Sequence, residues 1–366
     1  MRIQVQRADL LAGVQLVAKP VATKAIKPAL AYLRLQTIFG TSLCVHSTDL
    51  DTHAEARLPL AEVEGFAAGE VCVPADKLLA VLRALTDVFL IIEKVENVVV
   101  IRAKQQEYNL PTIDPDELPR IPNVERQWHV SLEQHRFRKL LLSVLPCVSR
   151  EDARYPMQGV CLEQKEPGTL VAVGTDGRRL AVKDVPAEGK AKGSCIVPKS
   201  AAGLMASVPT DCAQVYWDPN SIDVRWPNGG IEFRIVARLL EGKFPNWQAV
   251  MPKSEAVTNF ASSKESFDRA IRQAAVTVDE ETRKLAMTIK SGGVLFETNG
   301  TGSAKVQMVA ESFGPEVQVC ANPAYLVEAL KPCGDDVVVT ARKPTDPLIL
   351  SSNDDGPYTC LVMPLT

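Results

Sequence analysis

The chain has 366 residues, 46% of them hydrophobic, with 41 Lys and Arg against 44 Asp and Glu and a net charge of −3. This globular composition excludes a disordered chain, and the slight negative balance excludes a uniformly basic nucleic-acid binder. No run approaches the roughly 18 to 20 apolar residues of a membrane span, and nine cysteines without a Cys-x-x-Cys pair fit reduced, buried thiols in a cytosol rather than a disulfide framework.

Residues 1–5 alternate like a strand and have no signal-peptide apolar region. Residues 9–17 read as an amphipathic helix after a polar start, and 33–37 alternate again as a strand. Thr48-Asp49-Leu50 follows a short apolar run. Val73-Pro74 opens a helical segment at 75–85, and short β-rich runs follow at 88–92 and 98–101. A Pro-rich extended stretch, 111–122, reads as a linker. The same order then returns. A helix at 132–145 is followed by Thr175-Asp176-Gly177, by Val197-Pro198 before a helix at 199–208, by a strand around 224–226, and by a second Pro-rich stretch at 244–252. It returns once more as a helix at 266–276, Thr298-Asn299-Gly300, Asn322-Pro323 before a helix at 324–330, strands at 337–340 and 348–350, and the tail Met363-Pro364.

Pro74, Pro198 and Pro323 lie 124 and 125 residues apart; Thr48, Thr175 and Thr298 lie 127 and 123 apart. Three series in one order, with one period, indicate a triplicated domain. The linkers place the domains at 1–125, 126–254 and 255–366. Runs of short strands with two helices per repeat predict an α+β fold, the helices packed on antiparallel sheets.

Charge is distributed unevenly. Six helix-like windows, 9–27, 76–85, 131–150, 199–208, 262–273 and 322–331, hold 14 Lys and Arg against 6 Asp and Glu. They carry +8 and the rest of the chain −11. If the six helices share one face, that face is basic; taken singly, each shows only the solvated side of an amphipath.

Catalytic constellations are scarce. There is no Gly-x-Ser-x-Gly elbow, Walker loop or Gly-x-Gly-x-x-Gly after a strand. Asp114 and Asp116 sit in a proline-bracketed turn, where cap chemistry explains them. His46, His53, His129 and His135 have no zinc-like spacing with a cysteine, so neither metal nor cofactor is expected.

The stretch Gly174-Thr175-Asp176-Gly177-Arg178-Arg179-Leu180-Ala181-Val182 resembles the Thr-Asp-Gly-His/Arg-Arg-Leu word in the middle domain of bacterial β sliding clamps, the processivity subunits of the replicative DNA polymerase. Glu241-Gly242-Lys243-Phe244-Pro245-Asn246-Trp247 is similar to their Glu/Asp-Gly-Arg/Lys-Phe-Pro-Asp/Asn-Tyr word, and Leu361-Val362-Met363-Pro364-Leu365 to their Val-Met-Pro ending. Ser47-Thr48-Asp49-Leu50 and Val73-Pro74 match the first domain. The resemblance spans the chain in order. It implies three clamp domains per chain, and a non-catalytic homodimer closing a six-domain ring around duplex DNA with helices lining the hole. Diffuse basic helices suit a ring that encircles DNA without reading bases.

The resemblance also implies which residues do the work. A pocket for short apolar-plus-Gln peptides, shared by the polymerase catalytic subunit, the clamp loader and repair proteins, maps onto Met157, Thr175, Gly177, Arg178, Arg179 and Leu180. It continues through Pro245 and Val250 to Leu361, Val362, Met363, Pro364 and Leu365, with Arg179 near the rim. DNA-facing positions are Lys24, Arg136, Arg138, Lys139, Arg150 and Tyr155, joined by Lys199, Arg269 and Arg272. The subunit contact maps onto Tyr108, on an edge strand, and Ala275 with Val276. The sequence departs from the family pattern at Pro156, at Ala249 and in its ending Leu365-Thr366, which affects the pocket's rim and peptide preference. An accessory or mobile-element clamp with a modified pocket is the alternative within the class. A repeat-domain enzyme using Asp49, Asp176, Arg178 and Arg179 is the alternative from another class.

Overall fold

The computed structural model describes residues 1–21, 27–166, 168–191, 193–210, 212–227, 230–251, 258–300 and 302–365, and in it one order of elements occurs three times. The first set is β1 (Arg2–Gln6), α1 (Arg7–Val17), β2 (Tyr32–Ile38), β3 (Ser42–Thr48), β4 (Thr52–Pro59), β5 (Glu70–Pro74), α2 (Ala75–Ala84), β6 (Phe89–Val95), β7 (Val98–Arg102) and β8 (Glu107–Pro111). The second is β9 (Trp128–Glu133), α3 (Gln134–Val144), β10 (Gly159–Glu166), β11 (Thr169–Thr175), β12 (Arg179–Pro186), β13 (Glu188–Lys190), β14 (Ser194–Pro198), α4 (Lys199–Met205), β15 (Cys212–Trp217), β16 (Ser221–Trp226) and β17 (Glu232–Arg238). The third is β18 (Thr258–Ser263), α5 (Lys264–Ala275), β19 (Leu285–Lys290), β20 (Gly293–Asn299), β21 (Ser303–Val309), β22 (Glu311–Phe313), β23 (Val317–Ala321), α6 (Pro323–Leu330), β24 (Asp336–Ala341), β25 (Leu348–Asn353) and β26 (Pro357–Val362).

The proline words start the second helix of each set. Pro74 and Pro198 immediately precede α2 and α4, and Pro323 is the first residue of α6. Proline suits this place because its missing N–H would have no intrahelical partner and its φ is already helical. Asn322 completes the start of α6 by accepting the Ala324 N–H at 3.0 Å, and Ser263 caps α5 by accepting the Ser266 N–H at 3.2 Å. α5 shows why these helices pack: Phe267, Ala270, Ile271 and Ala274 form its buried stripe at helical spacing. Phe267 meets Phe260 edge-on with centroids 5.3 Å apart. Each large apolar side chain so enclosed contributes about 1.5 to 3 kcal/mol.

The chain divides into two compact units: residues 1–135 with 203–239, and residues 136–202 with 240–366. Unit one has a four-stranded sheet, β1–β6–β7–β8, and a larger one running β9–β15–β16–β17–β4–β3–β2–β5. Unit two has a nine-stranded sheet, β14–β10–β11–β12–β26–β25–β24–β18–β22, and a four-stranded one, β21–β20–β19–β23. Strands of the middle set are therefore distributed between the units. β17 pairs antiparallel with β4 of the first set, and β12 with β26 of the third. Backbone ladders join successive repeats, so packing does not cut the chain where composition does.

The Thr-Asp words are hairpin turns. In the β3–β4 turn, Thr48 Oγ1 accepts the Leu50 N–H at 2.9 Å, and Asp49 Oδ1 accepts the Asp51 and Thr52 N–H groups at 3.1 and 2.6 Å. The β11–β12 turn repeats this. Thr175 Oγ1 accepts the Gly177 N–H at 3.1 Å, and Asp176 Oδ1 those of Arg178 and Arg179 at 2.9 and 3.0 Å. Both aspartates satisfy their own turn backbone, as Asx residues commonly do, which removes the catalytic role weighed for Asp49 and Asp176. Among the described residues the nine cysteines form no disulfide and seven are buried. No described helix is long and apolar enough to cross a membrane.

Candidate functional site

The pocket residues inferred from the sequence all lie in unit two, around the hairpin β11–β12 and its neighbour β26. On one face of this sheet Cys161, Val171, Val173, Leu180, Val182, Ile196 and Leu361 form a buried apolar cluster. β12 and β26 align Leu180 opposite Leu361 and Arg179 opposite Val362. The segment after the middle repeat folds back onto this cluster: Leu240 N–H donates to Ile196 O at 2.9 Å, and Phe244 and Trp247 are buried against it. A short turn, Trp247–Ala249, then brings the chain to Val250, which is 55% exposed, and to Met251, which packs on the cluster. Pro245 is exposed between the two buried aromatics. The result is an apolar floor bordered by exposed apolar groups, an arrangement suited to short apolar side chains.

The tail is held by its backbone. Met363 N–H donates to Arg178 O at 2.9 Å, and Leu365 N–H to Cys320 O at 2.8 Å. Met363 is 44% exposed, and Pro364 and Leu365 are half-buried. Val362, one residue earlier, is fully enclosed and serves the core. Met157 is half-buried in the turn Asp152–Gln158, where its carbonyl accepts the Ser149 N–H at 2.9 Å. Its neighbour Pro156 packs beside Gly242. Thr175 is buried, its hydroxyl donating to Arg179 O at 2.7 Å, and Gly177 takes φ +82°, which a side chain would oppose.

Arg178 and Arg179 differ sharply. Arg178 is exposed and hydrogen-bonds Tyr325, which raises its pKa above the ordinary value. The Arg179 side chain is only 10% exposed, enclosed rather than standing at the rim. Its Nε donates to Asp176 Oδ2 at 3.0 Å, one terminal nitrogen to Glu328, and the other to Pro146 O at 2.6 Å. Its guanidinium also lies 4.3 Å from the centre of the Tyr325 ring. Burial opposes the charge, but the bonds from Glu328 and Asp176 outweigh it and the pKa rises.

The basic residues assigned to DNA are unequally available. Arg138 and Arg150 are exposed, and Tyr155 is largely so. Arg136 pairs with Asp355 at 3.4 Å and Lys139 with Asp354 at 2.8 Å, both acids in the β25–β26 hairpin. Arg269 and Arg272 lie along α5 with Glu265 at 3.9 Å and Asp268 at 2.6 Å. Lys199 donates to Val148 O at 2.9 Å, its pKa lowered by burial and then by Arg150 and Arg179. Lys24 lies outside the described residues. Of the subunit-contact positions, Tyr108 lies on β8, the edge of its four-stranded sheet. Ala275 ends α5, and Val276 beside it is 81% exposed.

Two family models match the chain. Residues 1–122 match the N-terminal domain of the DNA polymerase III beta subunit, and residues 131–246 match its central domain. The chain belongs to the DNA polymerase III beta-subunit family. Similar curated members are the beta sliding clamps of Pseudomonas putida, at 27% identity, and Vibrio cholerae, at 26%, each alignment covering 100% of both chains. The Escherichia coli K12 clamp is 25% identical over 90% of each chain. Two solved structures share the family fold. The beta subunit of Pseudomonas aeruginosa gives a TM-score of 0.90 at 24% identity over 100% of both chains, and that of Thermotoga maritima 0.90 at 18% over 100% of this chain and 99% of its own.

Sequence reasoning missed Tyr325, Glu328, Phe244 and Trp247. Phe244 and Trp247 stand inside the word Glu241–Trp247, where only Pro245 was carried forward. Tyr325 and Glu328 follow the Asn322-Pro323 landmark, but nothing local links them to Arg179, 149 residues from Glu328.

Proposed function

We propose that this chain is a DNA sliding clamp, a non-catalytic homodimer that encircles duplex DNA and tethers the replicative polymerase for processive synthesis. The observation that carries this reading is the threefold repeat of one two-helix, antiparallel-sheet set in a chain of the beta-subunit family. Clamp domains at 1–125, 126–254 and 255–366 supply three of the six domains of a ring. The other three come from a second copy, in a two-fold arrangement. β8 and β21 are edge strands of their sheets, and an edge is a template for another strand. Pairing β8 of one chain with β21 of the other closes the ring, with Tyr108 and the Ala275–Val276 corner at the contact. The working compartment is the cytoplasm.

A topological link removes the need for tight DNA binding. Exposed cations such as Arg138 and Arg150 supply weak, sequence-independent phosphate contacts that allow sliding. Arg136 and Lys139, already engaged by Asp355 and Asp354, add less. Partners are recruited separately, through the pocket over Leu180 and Leu361. A short apolar segment fills the floor, and Arg178 and the tail border it. One pocket per chain means that the polymerase, clamp loader and repair proteins exclude one another there.

The test is retention on nicked circular DNA before and after linearisation. A clamp stays on the circle and is lost from the linear form, and sedimentation at micromolar concentration gives a dimer. Equal retention on both forms, or a monomer, overturns the reading.

A further inference from the structure

We infer that Glu328 is a positioning residue for the partner-peptide pocket: it touches no peptide but locks Arg179, and through it sets the spacing of the pocket's walls. The inference rests on the pocket reading above and names a determinant that lies outside the residues carried over by resemblance.

Three segments distant in sequence meet at the Arg179 guanidinium. The β11–β12 turn contributes Asp176 at 3.0 Å, the turn after α3 contributes the Pro146 carbonyl at 2.6 Å, and α6 contributes both the Glu328 carboxylate and the Tyr325 ring. Tyr325 and Glu328 are three residues apart on α6, so they share a helix face and grip one guanidinium from two sides. Every nitrogen of Arg179 has a partner within the protein. With all three nitrogens engaged, and three of its five N–H donors taken, the guanidinium is held in place and Arg179 acts as a rivet.

The rivet joins parts that border the pocket. Arg179 is the first residue of β12, directly before the floor residue Leu180, and it pairs with Val362 on β26. The Arg178 carbonyl holds the tail at Met363, and the Arg178 side chain reaches Tyr325. Another constraint lies beneath. A Cβ on Gly174 would stand 2.4 Å from the Val144 carbonyl, so β11 is already pressed against the end of α3 and cannot absorb a shift of its turn. Without Glu328, one arm of the guanidinium is unpaired in a nearly enclosed site. It then turns outward or draws Asp176 with it, and the β12 start and the tail shift relative to α6. Charge-assisted hydrogen bonds from one guanidinium to two carboxylates fix geometry as well as energy.

The experiment measures the affinity of a fluorescent Gln-x-x-Leu-x-Leu peptide for the full-length dimer. Glu328→Ala is expected to weaken binding about tenfold, Arg179→Met by a similar factor, and the double variant by no more than either alone, because the two act as one unit. Glu328→Asp, which keeps the charge, is expected to restore most of the affinity. DNA retention and dimer mass stay at wild-type values in each. If Glu328→Ala fails to fold, Glu328→Gln replaces it, with a loss of a few fold. Wild-type affinity in the Ala or Gln variant overturns the inference, as do losses that multiply in the double variant. Deleting Met363 to Thr366 separates the two readings: if deletion leaves affinity intact the pocket itself is misplaced and both fall, whereas if deletion abolishes binding and Glu328 is silent only the inference falls.

Discussion

The hairpins β3–β4 and β11–β12 are the same structure put to opposite uses. Thr48 lies opposite His53 in the first, as Thr175 lies opposite Leu180 in the second. From that shared register, Cys44, His46, His53 and Glu55 occupy the places of Val171, Val173, Leu180 and Val182. In unit two these positions form the apolar floor beneath residues 244–251. In unit one the set is more polar: Glu55 is half-buried, and His46 and His53 are 4% and 6% exposed, stacked, with ring nitrogens 3.4 Å apart. Here too the linker lies over the face, held by Arg34 donating to the Pro115 and Leu118 carbonyls, and a 150 Å³ cavity remains between Arg34, His46, Glu55 and Ile121. The comparison teaches that the repeat specifies the scaffold, while four side chains per hairpin decide whether its face is lined by polar groups or left apolar, as the proposed partner pocket requires.

The largest expected effect comes from removing the tail that borders the apolar floor of unit two. Deleting Met363 to Thr366 lowers peptide affinity by about a hundredfold, as for a segment holding the main anchors, and leaves the dimer mass unchanged in sedimentation. Putting the unit-one residue into unit two breaks the comparison directly. Leu180→His places an unpartnered polar ring in the cluster, costs about 2 to 4 kcal/mol in a denaturant titration, and weakens the peptide at least about tenfold.

The two hairpins also separate by pH. Burial, then the neighbouring His53 and Arg34, lowers the His46 pKa to about 3; burial and Arg234 lower that of His53 to about 4. Unfolded rings titrate near 6.5, so between about 6.5 and 4 the unfolded chain binds more protons. The stability from neutral, buried rings is complete above about 6.5 and is lost as pH falls through that window, by up to about 1.4 kcal/mol per pH unit for each ring. A His46→Val, His53→Leu variant should flatten the melting temperature between pH 7 and 4.5; a slope equal to wild type contradicts the assignment. The smallest effect sharpens the turn comparison. Leu50 is held at φ +87° where the second repeat has Gly177 at +82°. Leu50→Gly should therefore stabilise by about 0.5 to 1 kcal/mol, and Gly177→Ala destabilise by about 1 to 2, read in the same denaturant titration.

Much of this was legible in the chain because it was local and repeated. Pro74, Pro198 and Pro323 marked the starts of α2, α4 and α6, and the Thr-Asp words marked the turns with their self-capping aspartates. What was not legible depends on contacts between distant segments. The seal of Arg179 by Glu328 joins a turn to a helix in a different repeat. The engagement of Lys139 by Asp354 spans 215 residues and reduces a charge that a window count treats as available. The stacking of His46 on His53 requires the hairpin register, since spacing alone shows two unrelated histidines. The two compact units were hidden for the same reason: the β4–β17 and β12–β26 ladders join repeats that composition separates.

The most direct measurement is photo-crosslinking. A Gln-x-x-Leu-x-Leu peptide with a diazirine at the second leucine is irradiated on the intact dimer, and the labelled protein is digested and mapped by mass spectrometry. Labels within residues 175–180, 244–251 and 361–365 are predicted. Labelling of the equivalent hairpin, residues 42–59, would contradict the claim that only the second copy of this structure is the partner site.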